Sequence, residues 1–128
     1  MNKQSTPNEY LVLSRGQWHK DLPPEQIQTA IDDFYNWIGQ HIEAGRMKPG
    51  NRLACEAKLV AKDRTLDGPF SEAKEVIGGY WFIYASSLDA AAALAAENPC
   101  LACGLSYEIR PIEPERASAF NVTNETPK

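Results

Sequence analysis

Five consecutive β-prone residues decide the fold: YWFIY at positions 80–84. Every one of them is apolar or aromatic, so a strand formed here is apolar on both faces and needs cover on both. A second run of this kind, YLVL at positions 10–13, lies in a predicted strand over residues 9–15, which Gly16 ends. Two such strands predict the middle of a sheet.

Two other segments alternate between apolar and polar side chains and are predicted as edge strands. They are RLACEAKLV at residues 52–60 and the run from Leu105 to Pro111. Alternation gives a strand one apolar face and one mixed face. We expect the charged side chains of these edge strands to line or rim any space enclosed above the sheet: Glu56, Lys58, Glu108 and Arg110.

Two helices are predicted between the strands. The first begins near Pro24, which suits a first helical turn, and ends at Gly45, which provides a left-handed stop. At about 21 residues it would be about 30 Å long. The second follows Ser87, an N-cap residue, and continues through a run of alanines to Ala96. The apolar stripe of the first helix is Ile27, Ile31, Phe34, Ile38 and Ile42.

The predicted order of elements is β-α-β-β-α-β, the ferredoxin-like arrangement of the α+β class. It places the first and third strands in the middle of a four-stranded antiparallel sheet, with two helices on one face. The two middle strands of this arrangement are also the two that are apolar on both faces. Position and pattern therefore support each other.

Two helices can cover only one face of this sheet. The other face would expose aromatic side chains that bury about 150–250 Å² each, more than the largest apolar patch of a typical monomer, about 300–600 Å². We therefore predict a homodimer that closes through the open sheet face. An apolar chamber with a few converging polar groups is a common small-molecule site.

Composition restricts the class of protein. The 128 residues suit one domain, and 13 basic against 17 acidic residues argue against nucleic-acid binding. No apolar run is long enough for a membrane span, and the polar N-terminus lacks a signal peptide, so a cytoplasmic location is expected. The predicted domain covers residues 9–112, between a flexible leader at 1–8 and a polar, disordered tail at 113–128.

The three cysteines are Cys55, Cys100 and Cys103. The last two have CxxC spacing, but they follow a predicted helix end and lack partners at the spacing of a zinc site. We interpret them as packing residues, with a redox or metal role as the alternative. The sequence has no P-loop, dinucleotide-binding glycine pattern, HExxH pair or nucleophile elbow. We expect no cofactor and no metal.

The segment DGPFSEAKEVIGGY at residues 67–80 resembles the signature of the DGPF group within the YCII-related proteins. The runs YLVL at 10–13 and EIRPI at 108–112, and a PPEQ helix start, are also similar to that family. The resemblance covers about residues 9–112. It implies a dimeric α/β barrel built from ferredoxin-like protomers, which agrees with the fold expected from the residues.

The resemblance implies less about function. Some relatives in the wider group are small-molecule enzymes that use a His near the start of the first long helix and an Asp in an Asp-Pro pair after the second. Here Phe34 and Asn98 stand at these positions, so that chemistry is not expected to carry over. Some DGPF proteins are associated with sigma factors of the extracytoplasmic-function type, which suggests a regulatory alternative.

Candidate ligand-binding residues lie past the first strand and around the DGPF segment. A carboxylate ligand could be held by Arg15 through two parallel hydrogen bonds, although an exposed loop with a packed Trp18 is the alternative there. Asp67 could act as a base at the barrel mouth or could only fix a turn. The charged residues after it could point into the chamber or lie in solvent. The full set is Arg15, Trp18, His19, Asp67, Lys74, Glu75 and Tyr80, with Glu72 beside them.

Two functions remain open. The first is binding of a small, partly apolar organic molecule with an acidic or polar group, with cofactor-free proton transfer if the protein is an enzyme. The second is a non-catalytic regulatory or protein-interaction module. An enclosed pocket holding two or more of Arg15, Asp67, Lys74 and Glu75 would favour the first, and exposure of these side chains above a packed interior would favour the second.

Overall fold

The computed structural model of the chain describes residues 7–68 and 76–127. No helix in these residues is long and apolar enough to cross a membrane. The sheet strands, hairpin strands and helices occur in an order that extends the predicted one by a small hairpin. They are β1 (Asn8–Arg15), α1 (Pro24–Glu43), β2 (Met47–Arg52), β3 (Lys58–Ala61), β4 (Arg64–Asp67), β5 (Ile77–Ala85), α2 (Leu88–Ala95), a 3-10 helix (Pro99–Cys103) and β6 (Ser106–Pro111).

The main sheet has the strand order β2-β5-β1-β6, and all its neighbouring strands are antiparallel. The two strands predicted to be central, β1 and β5, are central. In their register Val12 lies opposite Trp81, and on the other side it lies opposite Ile109 of β6. The α+β class and the ferredoxin-like fold are therefore confirmed.

Both helices begin and end close to where the sequence predicts. Pro24 opens α1, and the chain leaves it through Gly45, whose φ of +81° is the predicted left-handed stop. At the start of α2 the Ser87 hydroxyl accepts a hydrogen bond from the Ala90 N–H at 3.0 Å. This bond satisfies one of the backbone donors that a helix start leaves without a partner.

The main core lies between the sheet and the helices. Alternation along β1 and β5 directs Tyr10, Val12, Trp81 and Ile83 towards the helices, and Val12 and Ile83 have 0% exposure. The other side chains of these two strands point to the opposite face, on which none of the described residues forms a helix. That face is called the open face here, and its apolar residues are Leu11, Leu13, Tyr80, Phe82 and Tyr84, all partly exposed.

A second, smaller cluster of buried residues joins α1 to the 3-10 helix. It consists of Ala30, Cys100 and Cys103. Both thiols are free, and the Cys100 Sγ lies 3.7 Å from the Ala30 carbonyl oxygen. Burial raises the pKa of the Cys100 thiol, which opposes formation of a reactive thiolate. These contacts agree with the interpretation of the CxxC pair as packing residues.

The second strand of the sheet differs from the prediction. It was expected at residues 52–60, whereas β2 runs from Met47 to Arg52. The reason is that the turn at Gly45 leads the chain directly to the sheet edge, where Met47 enters the core with 3% exposure. Pro49 and Gly50 look like a turn in the sequence, but they occupy a register irregularity of an edge strand, where proline is tolerated.

Only Arg52 of the segment predicted as that strand lies in β2, and residues 58–60 belong to a separate hairpin. Strands β3 and β4 pair only with each other, joined by a turn at Lys62 and Asp63. Every residue from 51 to 67 is exposed. Residues 53–67 are called the arm here. Glu56 and Lys58 therefore lie on the arm, and their predicted place at the edge of the main sheet is wrong.

The chain termini carry little regular structure among the described residues. β1 begins at Asn8, one residue before the predicted domain boundary. Residues 112–127 contain no helix or strand and are almost entirely exposed. The Ile112 N–H still donates to the Glu9 carbonyl at 3.2 Å, so the tail leaves the domain beside the start of β1. Disorder of the tail and of the leader remains a prediction.

Candidate functional site

The open face combines an apolar centre with charged groups at both sheet edges. The central strands supply the apolar side chains, because β1 and β5 are apolar at every second position on this side too. In one row across the sheet Lys48 lies opposite Phe82, which lies opposite Leu11, which lies opposite Arg110. Both helices pack on the other face of the sheet. The open face is therefore the larger exposed apolar surface of the sheet, bounded by cations.

One carboxylate on this face is held between two guanidinium groups. The Arg15 Nη1 donates to Glu108 Oε1 at 3.0 Å, and the Arg110 Nη1 donates to Glu108 Oε2 at 3.1 Å. Register explains the arrangement, because Glu108 lies opposite Leu13 and therefore shares its face with the residues two positions away on β1 and β6. The Arg110 side chain remains 47% exposed. It keeps donors that a bound anion could use.

The other edge of the open face carries a second ion pair. The Lys48 Nζ lies 2.8 Å from Glu9 Oε2 and 4.5 Å from the centre of the Phe82 ring. A cation over an aromatic face is attracted by the ring quadrupole. The hydrogen bond to Glu9 raises the pKa of Lys48, so this side chain stays charged at neutral pH.

Tyr80 occupies the middle of the open face. Its hydroxyl oxygen accepts a hydrogen bond from the Asn51 side-chain amide at 3.1 Å. Its ring packs edge-on against Phe82, with 6.0 Å between ring centres. A polar tip is thereby held beside an apolar surface, which suits a partly apolar ligand.

The structure brings two of the predicted site residues, Arg15 and Tyr80, to the same face. It places two others on the helix side of the sheet: Trp18 packs against the second cluster, and His19 is exposed, with its backbone N–H donating to the Cys103 carbonyl at 2.9 Å. Asp67 ends β4, where its exposed carboxylate pairs with Lys58 across the hairpin. The remaining candidates, Glu72, Lys74 and Glu75, lie outside the described residues.

Sequence reasoning missed three polar residues of the open face. Glu9, Lys48 and Asn51 were not among the candidates. Lys48 and Asn51 were missed because the segment KPGN at 48–51 has the composition of a turn. The signal that could have found Lys48 is the buried Met47 before it. In a strand that buries one side chain on the helix side, the next residue points to the opposite face.

The positions of the catalytic His and Asp in some relatives are structural in this chain. The Phe34 ring packs against both buried clusters and lies 6.3 Å from the Trp81 ring. Asn98 is 3% exposed, and its side-chain oxygen accepts the Cys100 N–H at 2.8 Å, which caps the 3-10 helix. Neighbouring Tyr107 has its pKa raised by burial and stays protonated. These contacts support the expectation that the His/Asp chemistry does not carry over.

Two open depressions occur on the surface of the described residues. One lies in the tail, and the other lies at the base of the arm between Glu56, Lys58 and Asp67. Neither includes a residue of the open face. Within residues 7–68 and 76–127, no three His, Cys, Asp or Glu side chains are grouped closely enough to hold a metal ion.

Comparison with known proteins gives the family. The model of the YCII-related domain matches residues 9–116, which is most of the chain. An uncharacterized protein of Rhizobium meliloti (strain 1021) is 34% identical over 98 residues, which cover 69% of this chain and 77% of that protein. The matched residues extend from β1 to just beyond β6, so they include the whole sheet and both helices. The chain belongs to the YCII-related domain family.

Proposed function

We propose that this protein binds a small organic molecule with an acidic group on the open face, in a chamber that a second copy of the chain closes. The observation that carries the proposal is the Arg15–Glu108–Arg110 group beside Tyr80 and Leu13. It combines charged donors with apolar surface on three neighbouring strands, β6, β1 and β5. This combination is typical of pockets that orient a small ligand by a few polar contacts.

The guanidinium groups favour a carboxylate ligand. A guanidinium has five N–H donors in a planar fork and binds carboxylates through two parallel hydrogen bonds. Arg110 is exposed at the edge of the sheet, where a ligand could approach it. The apolar part of the ligand would then lie over Leu11 and Phe82, which occupy the same row as Arg110.

The dimer is supported by the composition of the open face. Its five partly exposed apolar residues include three aromatic ones. A two-fold axis through its centre would place this apolar surface against its own copy, which is the self-complementary contact of a symmetric dimer. The charged groups at the two edges would lie at the rim, where solvent still reaches them.

Cofactor-free proton transfer is the chemistry that the open face could provide if the protein is an enzyme. Two of its acid–base groups are the Glu108 carboxylate and the Tyr80 hydroxyl. General acid–base catalysis needs such a group within hydrogen-bond distance of the reacting proton, about 2.6–3.2 Å. A bound acid with an exchangeable C–H or O–H group would satisfy this requirement.

The alternative is a non-catalytic regulatory or protein-interaction module. The observation in its favour is that Asp67, the first residue of the DGPF string, is exposed at the base of the arm rather than on the open face. A link to sigma-factor signalling belongs to this alternative. It predicts that purified protein carries no small acid and that the open-face arginines can be replaced without loss of function.

The test measures retained and added ligands. Native mass spectrometry identifies any small acid carried through purification, and calorimetry compares a panel of aryl and alkyl carboxylic acids with their uncharged amides. We expect the acids to bind and the amides to bind at least about tenfold more weakly, because one lost charge-assisted pair is worth about 1.4 kcal/mol or more.

Three variants connect that binding to the open face. Arg15→Met and Arg110→Met should each weaken binding of the acids at least about tenfold and leave the amides unchanged. Arg116→Met, in the exposed tail, is the matched control and should change nothing. The proposal is overturned if no acid is retained or bound, or if acids and amides bind equally well.

A further inference from the structure

Within residues 7–68 and 76–127, the two strands of the arm have no packing partner other than each other. All residues of β3 and β4 are exposed, and these strands pair only with each other. An isolated two-stranded hairpin is marginally stable at best in water, and a third strand or another packed element is needed for stability. The arm therefore needs a surface outside the described part of the chain.

One face of the arm is more apolar than the other. Leu59 lies directly opposite Leu66, and Ala61 lies on the same face opposite Arg64. The leucines are 51% and 40% exposed. About half of each leucine therefore remains exposed to solvent, even though the two residues lie opposite each other in the hairpin. The opposite face carries Val60, Thr65, Lys58 and Asp67.

The arm begins at the edge of the main sheet. Leu53 donates its backbone N–H to the Gly78 carbonyl at 2.9 Å, so pairing with β5 ends where the arm starts. Strand β3 alone is about 13 Å long, and two sheets packed face to face are about 10 Å apart. An arm that leaves this edge is long enough to reach a second sheet packed on the open face.

Charge also favours a second copy of the chain as the partner. The arm contains three basic and three acidic residues, whereas the whole chain contains 13 basic and 17 acidic ones. The acidic excess therefore lies entirely outside the arm. The neutral arm of one copy can therefore contact the acidic remainder of the other copy without repulsion between like net charges.

We propose that the arm docks through Leu59 and Leu66 on a second copy of this chain and holds the two copies together beside the open face. This inference rests on the dimer of the proposed function. It adds a contact that each protomer gives to its partner and receives in return. Asp67, which ends β4, would then lie on an arm that contacts the other copy.

The test compares the two faces of the arm. Sedimentation equilibrium measures the dimer Kd of the natural chain, of the double variant Leu59→Ser/Leu66→Ser, and of the matched control Val60→Ser. We expect the double variant to raise the Kd at least about tenfold, because it replaces two leucines that would be buried in the apolar contact between the copies. The control should change the Kd less than about threefold, although Val60 is the most exposed of the three at 75%.

A second readout uses the natural cysteines and separates docking from misfolding. Cys55 is exposed in the arm, whereas Cys100 and Cys103 are buried, so a bulky maleimide should modify Cys55 first. We expect its modification to slow as the protein concentration rises through the dimer Kd. In the double variant the rate should stay high over the same range, with the circular dichroism spectrum of the natural chain retained.

The outcomes distinguish this inference from the proposed function. A dimer that the double variant leaves unchanged overturns the docking of the arm and leaves the chamber standing. A natural chain that stays monomeric at every concentration overturns both. A dimer that the double variant weakens, in a protein that binds no acid, supports the arm and overturns only the ligand.

Discussion

At the scale of single residues, two glycines with positive φ have different surroundings. Gly45 has a φ of +81°, and an added Cβ would meet no other heavy atom within 4 Å. Gly104 has a φ of +112°, and its Cβ would lie 2.8 Å from the His19 backbone nitrogen and 3.0 Å from the Gln17 carbonyl oxygen. The loop after β1 therefore rests directly on the end of the 3-10 helix.

Replacing each glycine by alanine should separate backbone strain from collision. Gly45→Ala should lower the free energy of unfolding by about 1–2 kcal/mol, the cost of a left-handed residue with a side chain. Gly104→Ala should cost at least about 1 kcal/mol more, since backbone atoms must also move. Urea unfolding of both variants measures the difference, and equal losses would contradict the close contact at Gly104.

His41 gives the fold a pH dependence. Its side chain is 13% exposed, its ring lies 5.2 Å from that of Trp37, and its Nδ1 accepts a hydrogen bond from the Arg46 Nε at 2.8 Å. Burial lowers the pKa of His41, Arg46 lowers it further, and Glu97, 3.9 Å from Nε2, acts in the opposite direction. The folded protein therefore holds this imidazole in its neutral form.

The sign of the effect follows from the unfolded chain, where a histidine has a pKa of about 6.5. Below that pH the unfolded state binds a proton that the folded state resists, so the stabilisation is complete above about pH 6.5 and is lost as the pH falls through the lowered folded pKa. We expect an NMR titration to place the His41 midpoint below about 6.5 and Arg46→Met to raise it. A midpoint above the ordinary value would contradict this description.

At the scale of elements, β5 has two different faces in one strand. Ile83 is fully buried against the helices, and its neighbour Phe82 lies partly exposed on the open face. Ile83→Ala should lower the free energy of unfolding by about 2–5 kcal/mol at any protein concentration. In dilute solution Phe82→Ala should cost less than half as much, and chemical denaturation of both variants checks this. Equal costs would mean that the open face is covered within one chain.

The sequence predicted the elements whose apolar side chains form a continuous run or recur at a regular spacing. β1 and β5 were found because the runs at residues 10–13 and 80–84 are apolar at every position, and α1 was found because its stripe recurs at helical spacing between Pro24 and Gly45. β2 was missed because Met47 is the single buried side chain that fixes it, and Pro49 and Gly50 hide the strand. The alternation in residues 52–60 did not predict an edge strand of the main sheet, because residues 53–57 form no strand and residues 58–60 join a hairpin that pairs with no other described strand.

The candidate site was predictable to the same extent. The sequence predicted that Arg15 and Tyr80 lie in or beside the two central strands, and the register of the structure puts them on one face. Their role in ligand binding stays a prediction. Their partners Glu108 and Asn51 depend on the register between strands, which one sequence does not contain. Trp18 was expected beside the ligand, but its ring is needed to cover the second buried cluster.

At the scale of the whole molecule, the proposed dimer links stability to concentration. Association stabilises the folded state by mass action, so the Tm should rise as the protein concentration rises. We expect a hundredfold increase to raise the Tm by several degrees, because it adds about 2.7 kcal/mol of stabilisation for a bound partner. In Phe82→Ser the same increase should have a smaller effect, and scanning calorimetry measures both. A Tm independent of concentration in the natural chain would contradict the dimer.

The two outer strands of the main sheet both contain a proline. Pro49 interrupts the ladder of β2 at its irregular register, and Pro111 ends β6. Proline has no backbone N–H, and an irregular outer strand is a poor template for another strand. Each proline removes one backbone donor from an outer edge, which disfavours sideways addition of a strand there, whereas the open face can still stack on another sheet.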